Sequence, residues 1–228
     1  MATPIGNLED ITLRALRILR EVDLILCENH QNSAKLLKHH EIHTPNKNLY
    51  GFQQGEYPWI LEKLKAGENI AFITDAGTPG ISDPGSNLVR YLRSNSIEIQ
   101  SIPGPNALGM ILSLSGAQAN PSIFLGFLPE KSGKKMNTLL KYANEECLVI
   151  YYESVHRIKK SLEITRNAFP GAEIIIGREL TKLHEELIFI RPKDEIPNFT
   201  EKGEFVVLIN NHTKKIAKEV SEFTDTEI

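Results

Sequence analysis

The chain has 228 residues, enough to bury a full core as one large domain or two small ones. Its 41% hydrophobic and 24% charged residues are those of an ordinary soluble protein, and a net charge of −3 argues against a dominant, non-specific grip on nucleic acid while leaving room for a local basic face. No apolar run approaches the ~20 residues of a membrane span, the N-terminus lacks the basic-then-apolar pattern of a secretion signal, and the two cysteines suggest neither a disulfide framework nor a zinc site, so the expectation is a cytoplasmic protein without a metal centre or a membrane partner.

Strand-like and helix-like segments alternate along the chain. Residues 10–20 put Leu13, Leu16 and Leu19 on adjacent turns, with Asp10 as the expected N-cap. An apolar strand, 22–27, ends on Cys27. A short helix, 33–40, turns Leu36 and Leu37 inward, and another, 58–65, is closed by Gly67. Residues 70–74 read as a buried strand and 86–93 as a helix. A further strand is expected at 97–102, where Glu98 and Gln100 alternate with apolar residues. Pro103-Gly-Pro-Asn-Ala107 is a rigid loop that opens the apolar helix 108–114. Ser115-Gly-Ala-Gln-Ala-Asn-Pro121 reads as a linker, dividing a lobe of residues 1–117 from one of 118–228. Beyond it come strand 123–127, helix 133–143, strand 148–152, helix 156–168 and strands 172–177, 187–190 and 204–209. The late strands are closely spaced, which suggests a mixed sheet, and the tail from Asn210 reads as polar and loose.

The most informative segment is Asp75-Ala-Gly-Thr-Pro-Gly-Ile-Ser-Asp-Pro-Gly85, a loop between strand and helix with three Gly and two Pro. Gly allows close backbone approach and positive φ, and Pro stiffens the loop. Ligands of open α/β sheets bind beyond the carboxyl ends of the strands, where this loop falls. Its Asp, Thr and Ser residues weigh against a purely structural turn.

The familiar nucleotide-binding signatures fail. Gly126-Phe-Leu-Pro-Glu-Lys-Ser-Gly-Lys-Lys135 has the wrong spacing for a phosphate loop, and no Gly-x-Gly-x-x-Gly follows a strand. His39, His40 and His43 cluster with no Cys or acidic partner except Glu41, and read as a solvated helix end, with metal binding as the lesser alternative. Lys131, Lys134, Lys135 and Lys141 read as a solvated face, with RNA phosphate as the sharper alternative. Tyr151-Tyr-Glu-Ser-Val-His-Arg157 and Gly177-Arg-Glu-Leu-Thr-Lys-Leu-His-Glu-Glu186 are two more polar junctions at strand ends. Such junctions in both halves of the chain suggest a ligand cleft between lobes.

Six segments occur in order: Ala2-Thr-Pro-Ile-Gly-Asn-Leu-Glu-Asp-Ile-Thr-Leu-Arg-Ala-Leu16, Asp75 to Gly85, Ile102-Pro-Gly-Pro-Asn-Ala-Leu108, Gly126-Phe-Leu-Pro129, Tyr152-Glu-Ser-Val-His-Arg157 and Arg178-Glu-Leu-Thr-Lys-Leu-His-Glu-Glu186. Together they closely resemble the bacterial small-subunit ribosomal RNA (cytidine 2′-O)-methyltransferases of the tetrapyrrole methylase superfamily, over about residues 2–209. The resemblance implies a two-lobed α/β class III methyltransferase fold with S-adenosylmethionine in a cleft between the lobes. It implies a homodimer acting on small-subunit ribosomal RNA rather than DNA. Cofactor positions carried over are Pro4, Gly6, Asp75, Ala76, Gly77, Thr78, Pro79, Gly80, Ile81, Ser82, Pro103 and Gly104, with Tyr152, Glu153 and Thr181 as further candidates. Methyl transfer needs donor and acceptor held in line, and a ribose hydroxyl benefits from a positioned base. Glu28, Glu153, His156, Lys182 and Glu185 are candidates for that base or for phosphate and ribose contacts.

Three features depart from the family pattern. Met1 sits almost on the first motif, so the first strand is expected to be short or absent. Glu28-Asn-His-Gln31 stands where the pattern has Glu-Asp-Thr-Arg. The chain stops soon after Ile209, without a further helical module. These departures keep two rival readings: a paralogue with the same donor and another acceptor, and a non-catalytic binding protein on the same scaffold.

Overall fold

The computed structural model describes residues 1–49, 54–82 and 85–212. Most of the expected loose tail, and Asp83 and Pro84 of the glycine- and proline-rich loop, lie outside the described residues. Two compact units follow one another in the chain, Met1–Ala107 and Leu108–Ile228. The division falls ahead of the linker at 115–121, so that the helix expected at 108–114 belongs with the second unit. Among the described residues, no helix is long and apolar enough to cross a membrane.

The first unit carries helix α1 (Leu13–Glu21), strand β1 (Leu24–Cys27), helix α2 (His30–His39), strand β2 (Asn46–Asn48), helix α3 (Tyr57–Lys65), strand β3 (Ile70–Ile73) and helix α4 (Gly85–Ser94). Its sheet is parallel, in the order β2-β1-β3. Parallel strands need crossover helices, and α2 and α3 supply them. Ile25, Leu26 and Cys27 are all fully buried, as expected of a strand covered on both faces. Thr12, rather than Asp10, caps α1: its hydroxyl accepts the Ala15 amide at 3.1 Å, and Asp10 ends a separate 3-10 turn capped by Asn7. Ala15 and Leu19, one turn apart, are the buried side of α1.

Two strand expectations fail here, for opposite reasons. Residues 97–102 join no strand ladder among the described residues, and 98–101 are exposed despite their alternating pattern. Alternation describes a half-buried surface only when a partner strand supplies the other half. Conversely, β2 is Asn46-Lys47-Asn48, a polar edge with no apolar signal, held by its pairing with Ile25, Leu26 and Cys27. Among the described residues the chain ahead of α1 forms no strand. Thr3 makes one isolated bridge to Gly77, and the Met1 amino group donates to the Phe72 carbonyl at 3.0 Å.

The second unit carries helix α5 (Ala107–Ser115, whose first residue closes the first unit), strand β4 (Ser122–Phe127), helix α6 (Ser132–Leu140), strand β5 (Leu148–Ser154), helix α7 (Ile158–Ala168) and strands β6 (Glu173–Arg178), β7 (Glu186–Ile190) and β8 (Glu204–Asn210). The sheet is mixed, in the order β4-β5-β8-β6-β7, with only β4 and β5 parallel. Leu148, Val149, Ile150 and Tyr151 are fully buried in β5, and Val207, Leu208 and Ile209 in β8. Each such side chain contributes about 1.5–3 kcal/mol through removal from water. Both cysteines are buried and unpaired, and burial raises their thiol pKa values.

Candidate functional site

In the first unit three loops meet beyond the carboxyl ends of β1 and β3, and backbone bonds hold them. Thr3 and Gly77 exchange both of their backbone hydrogen bonds, at 3.0 and 2.9 Å. The Thr3 hydroxyl donates to the Thr74 carbonyl at 3.0 Å, and the Thr74 hydroxyl donates to the Gly77 carbonyl at 3.1 Å. The Ala2 amide donates to the Ile102 carbonyl, and the Thr78 hydroxyl to the Pro105 carbonyl at 3.3 Å. Pro4, Gly77, Thr78 and Gly104 are thereby drawn to one place within the unit. Gly6, Asp75, Ala76, Gly80, Ser82 and Pro103 remain exposed there, and Pro79 and Ile81 are half-buried.

Two glycines are required by this geometry. Gly77 has φ +77°, and a β-carbon on it would lie 3.3 Å from Ile5 Cγ2. A β-carbon on Gly104 would lie 2.8 Å from that of Ala2. Gly80 also has positive φ (+87°), but a β-carbon there would meet nothing within 4 Å, so it borders open space.

Carboxylates flank the loop. The Asp75 amide donates to Glu28 Oε2 at 3.1 Å, and Asn32 Nδ2 donates to Asp75 Oδ2 at 2.8 Å. Asn29, where the family pattern has Asp, caps α2 by accepting the Gln31 amide at 2.9 Å. Asn and Asp are near-equal caps, so this departure keeps the local fold. Gln31, where the pattern has Arg, is exposed.

The second unit gathers its polar residues at one end of the sheet. In register, Glu153 of β5 and Arg178 of β6 both lie opposite Phe205 of β8, and Ser154 lies opposite Glu204. Glu153 is fully buried: Lys135 Nζ reaches its Oε2 at 2.7 Å and Arg157 Nη2 its Oε1 at 2.6 Å. The Ser161 hydroxyl bonds to the same carboxylate and to Lys135, and the Ser154 amide donates to Oε1 at 2.9 Å. Burial pushes the Glu153 carboxyl up, but Lys135, Ser161 and the Ser154 amide outweigh it and hold it below its ordinary value.

Around Arg178 the network continues. Its Nε pairs with Glu186 at 2.8 Å, and Lys182 Nζ bridges Glu179 Oε1 and Glu204 Oε2 at 2.8 and 2.9 Å. Burial lowers the Lys182 pKa, but its two carboxylates prevail and raise it. Glu185 accepts the Thr181 amide. Glu179 and Thr181 have φ of +50° and +69°, a conformation non-glycine residues rarely adopt. The loop is thus held in shape against a local cost. Tyr152 is half-buried against Phe124 and Phe127, with ring centroids at 4.9 and 5.7 Å; burial raises its phenol pKa against the Leu108 backbone bond. His156 is exposed.

The structure therefore brings Tyr152, Glu153, Thr181, Lys182 and Glu185 to one sheet end, and Glu28 to the loop site of the first unit. Sequence reasoning missed Thr3 and Thr74, which tie that loop, and Lys135. The run Lys131, Lys134, Lys135 and Lys141 is split: Lys135 is buried and the other three are exposed. Its signal was present, since Lys135 and the fully buried Leu139 are one turn apart on α6. Of the histidine cluster, His40 contacts the Leu8 carbonyl at 3.0 Å.

The sequence profile of the Tetrapyrrole (Corrin/Porphyrin) Methylases matches residues 2–197. A ribosomal RNA small subunit methyltransferase I from Leptospira biflexa is 47% identical, covering 99% of this chain and 95% of its own. One of the same name from Coprothermobacter proteolyticus is 43% identical, covering 92% and 95%. Among solved structures, the methyltransferase CobJ superimposes with a TM-score of 0.66 at 19% identity, over 90% of each chain, a likeness of fold.

Proposed function

Since the chain belongs to the tetrapyrrole (corrin/porphyrin) methylase family and is a methyltransferase, we propose that it moves a methyl group from S-adenosylmethionine to the 2′-hydroxyl of a cytidine ribose in small-subunit (16S) ribosomal RNA. The single observation that carries this reading is 47% identity along almost the whole chain to a relative named for that RNA. The compartment is then that of the ribosome, the cytoplasm, and the working form is a homodimer.

When bound, S-adenosylmethionine supplies a methyl on a sulfonium, open to in-line displacement by an oxygen. The residues present fit it. The loop at Asp75–Ser82, with Pro4, Gly6, Pro103 and Gly104, offers backbone and open space at Gly80. Glu28 and Asp75 set carboxylates beside the loop, suited to ribose hydroxyls and to a cationic donor. The rigidity of this backbone pre-orients the donor, which is the main requirement of the reaction.

For the proton of the ribose hydroxyl, five groups are candidates. Lys182 is held as an ammonium by two carboxylates, and so has no lone pair to offer. Glu153 is enclosed by Lys135 and Arg157. Glu28 and Glu185 each accept a backbone amide. His156 lies exposed just beyond β5, and we assign it the proton, with Lys182 and its neighbours shaping the surface around the acceptor.

The test is transfer of labelled methyl to small ribosomal subunits lacking the modification, with the product mapped to the nucleotide. Label on a cytidine 2′-oxygen supports the proposal, with His156→Ala expected to lower kcat by about 10²-fold or more at unchanged cofactor affinity. No label, with calorimetry still showing cofactor binding, moves the reading to a paralogue with another acceptor. Absence of both leaves a non-catalytic binding protein.

A further inference from the structure

An open groove of about 560 Å³ runs along α4 in the first unit, where Pro79 and Gly80 of the loop face Ser86, Arg90, Arg93 and Ser94 of the helix. Residues 86, 90 and 93 are separated by three, four or seven positions, and 94 lies four beyond 90, so all four border one helix face. Arg90 and Arg93 stand about 4.5 Å apart along the axis. Both are exposed, and among the described residues neither makes an ion pair or side-chain hydrogen bond. From Gly85 to Ile97 the sequence holds these two Arg and no Asp or Glu. In a chain of net charge −3 this is a local basic face.

Several other cations of this protein are committed elsewhere. Lys135, Arg157, Arg178 and Lys182 are tied to carboxylates in the second unit, and Arg17, Lys47 and Lys63 to carboxylates in the first. Two unpaired guanidinium groups lining a concave surface are the wrong sign for a sulfonium donor. They are the right sign and shape for phosphate oxygens, which a guanidinium can meet with two donors at once. The hydroxyl of Ser86 adds a group of the kind that commonly contacts nucleic-acid backbones, whereas that of Ser94 already donates to the Tyr91 carbonyl at 2.8 Å. The groove also shares Pro79 and Gly80 with the loop assigned to the donor.

We propose that this groove is a phosphodiester-binding subsite, in which Arg90 and Arg93 hold the backbone of the RNA strand next to the methylated nucleotide. The proposal rests on the RNA-acceptor reading above. It specifies positioning of the strand by charge, with no reading of base identity.

The experiment measures binding to small ribosomal subunits and methyl transfer across a salt series, for the wild type, Arg90→Ala/Arg93→Ala and Arg90→Lys/Arg93→Lys. Loss of two phosphate contacts is expected to flatten the slope of log affinity against log salt by roughly 1.5. The KM for subunits is expected to rise on the order of tenfold. Calorimetric affinity for S-adenosylmethionine and the melting temperature stay as in the wild type, because both side chains are exposed. The lysine pair, which keeps the charge, retains most of the slope. An alanine pair with unchanged slope and KM, in a protein whose wild type binds and methylates subunits, overturns the groove and leaves the function standing. A wild type that neither binds nor methylates subunits overturns the RNA reading, and the groove with it.

Discussion

The loop site of the first unit and the sheet end of the second are built from different materials. The first is tied by backbone and hydroxyl bonds among Thr3, Thr74, Gly77, Thr78 and Pro105, with glycines where a β-carbon would collide. The second is tied by charge, with Glu153 between Lys135 and Arg157, Lys182 between Glu179 and Glu204, and Arg178 against Glu186. A backbone framework is insensitive to pH and sensitive to volume. A charge framework is the reverse, because removal of one member leaves another buried without a partner.

The largest effect should come from breaking the charged side. Glu153→Ala leaves the Lys135 ammonium buried with Ser161 alone, and is expected to cost about 3–5 kcal/mol in chemical denaturation. Replacing the pair together, Lys135→Met with Glu153→Leu, should recover most of that loss. If the double variant is as unstable as the single one, the pair is not the source of the cost.

Next in size are the glycines of the first unit. Gly77→Ala forces a side chain into φ +77° and against Ile5, and Gly104→Ala places a methyl on that of Ala2. Each is expected to cost about 1–3 kcal/mol and to weaken cofactor binding by calorimetry. Gly80→Ala, with open space around it, carries only the conformational cost of its φ of +87°. Equal losses for Gly77→Ala and Gly80→Ala would show that backbone strain alone, and not packing against Ile5, sets the loop at those two positions.

The smallest effect separates the two sites by pH. The Glu153 carboxyl is depressed on folding, so its stabilisation is present above its ordinary value of 4.5 and is lost as pH falls through the folded value. Glu179 is depressed in the same way. Acidification below pH 4.5 should therefore lower the melting temperature of the wild type more than that of Glu153→Gln. Parallel pH curves for the two proteins would remove Glu153 from the account.

Legibility differed between elements in a way that follows from their packing. The apolar runs of β1, β3, β5 and β8 were readable because strands covered on both faces leave no polar positions. The ends of α1 and α6 were misplaced by a few residues, since caps depend on local bonds such as that of Thr12 rather than on apolar spacing. The 97–102 segment carried a strand pattern without a partner, and β2 carried a partner without a pattern. Within the candidate site, the Asp75–Gly85 loop stood out through its Gly and Pro. Thr3 did not, because nothing local marks a threonine that bonds across 71 positions of the chain.

By itself the sequence determined the alternation of helix and strand, the stiff loop, and six ordered motifs dense enough to indicate a methylase. The alternation and the stiff loop are local, set by side-chain periodicity and by the backbone limits of Gly and Pro, and the motifs speak through their resemblance to a family. The tertiary structure alone decided which charges remain available. It buried Lys135 against Glu153, locked Lys182 between two carboxylates and left Arg90 and Arg93 unpaired along a groove. Whether a charge is sealed or offered to a ligand depends on distance and dielectric between residues far apart in the chain.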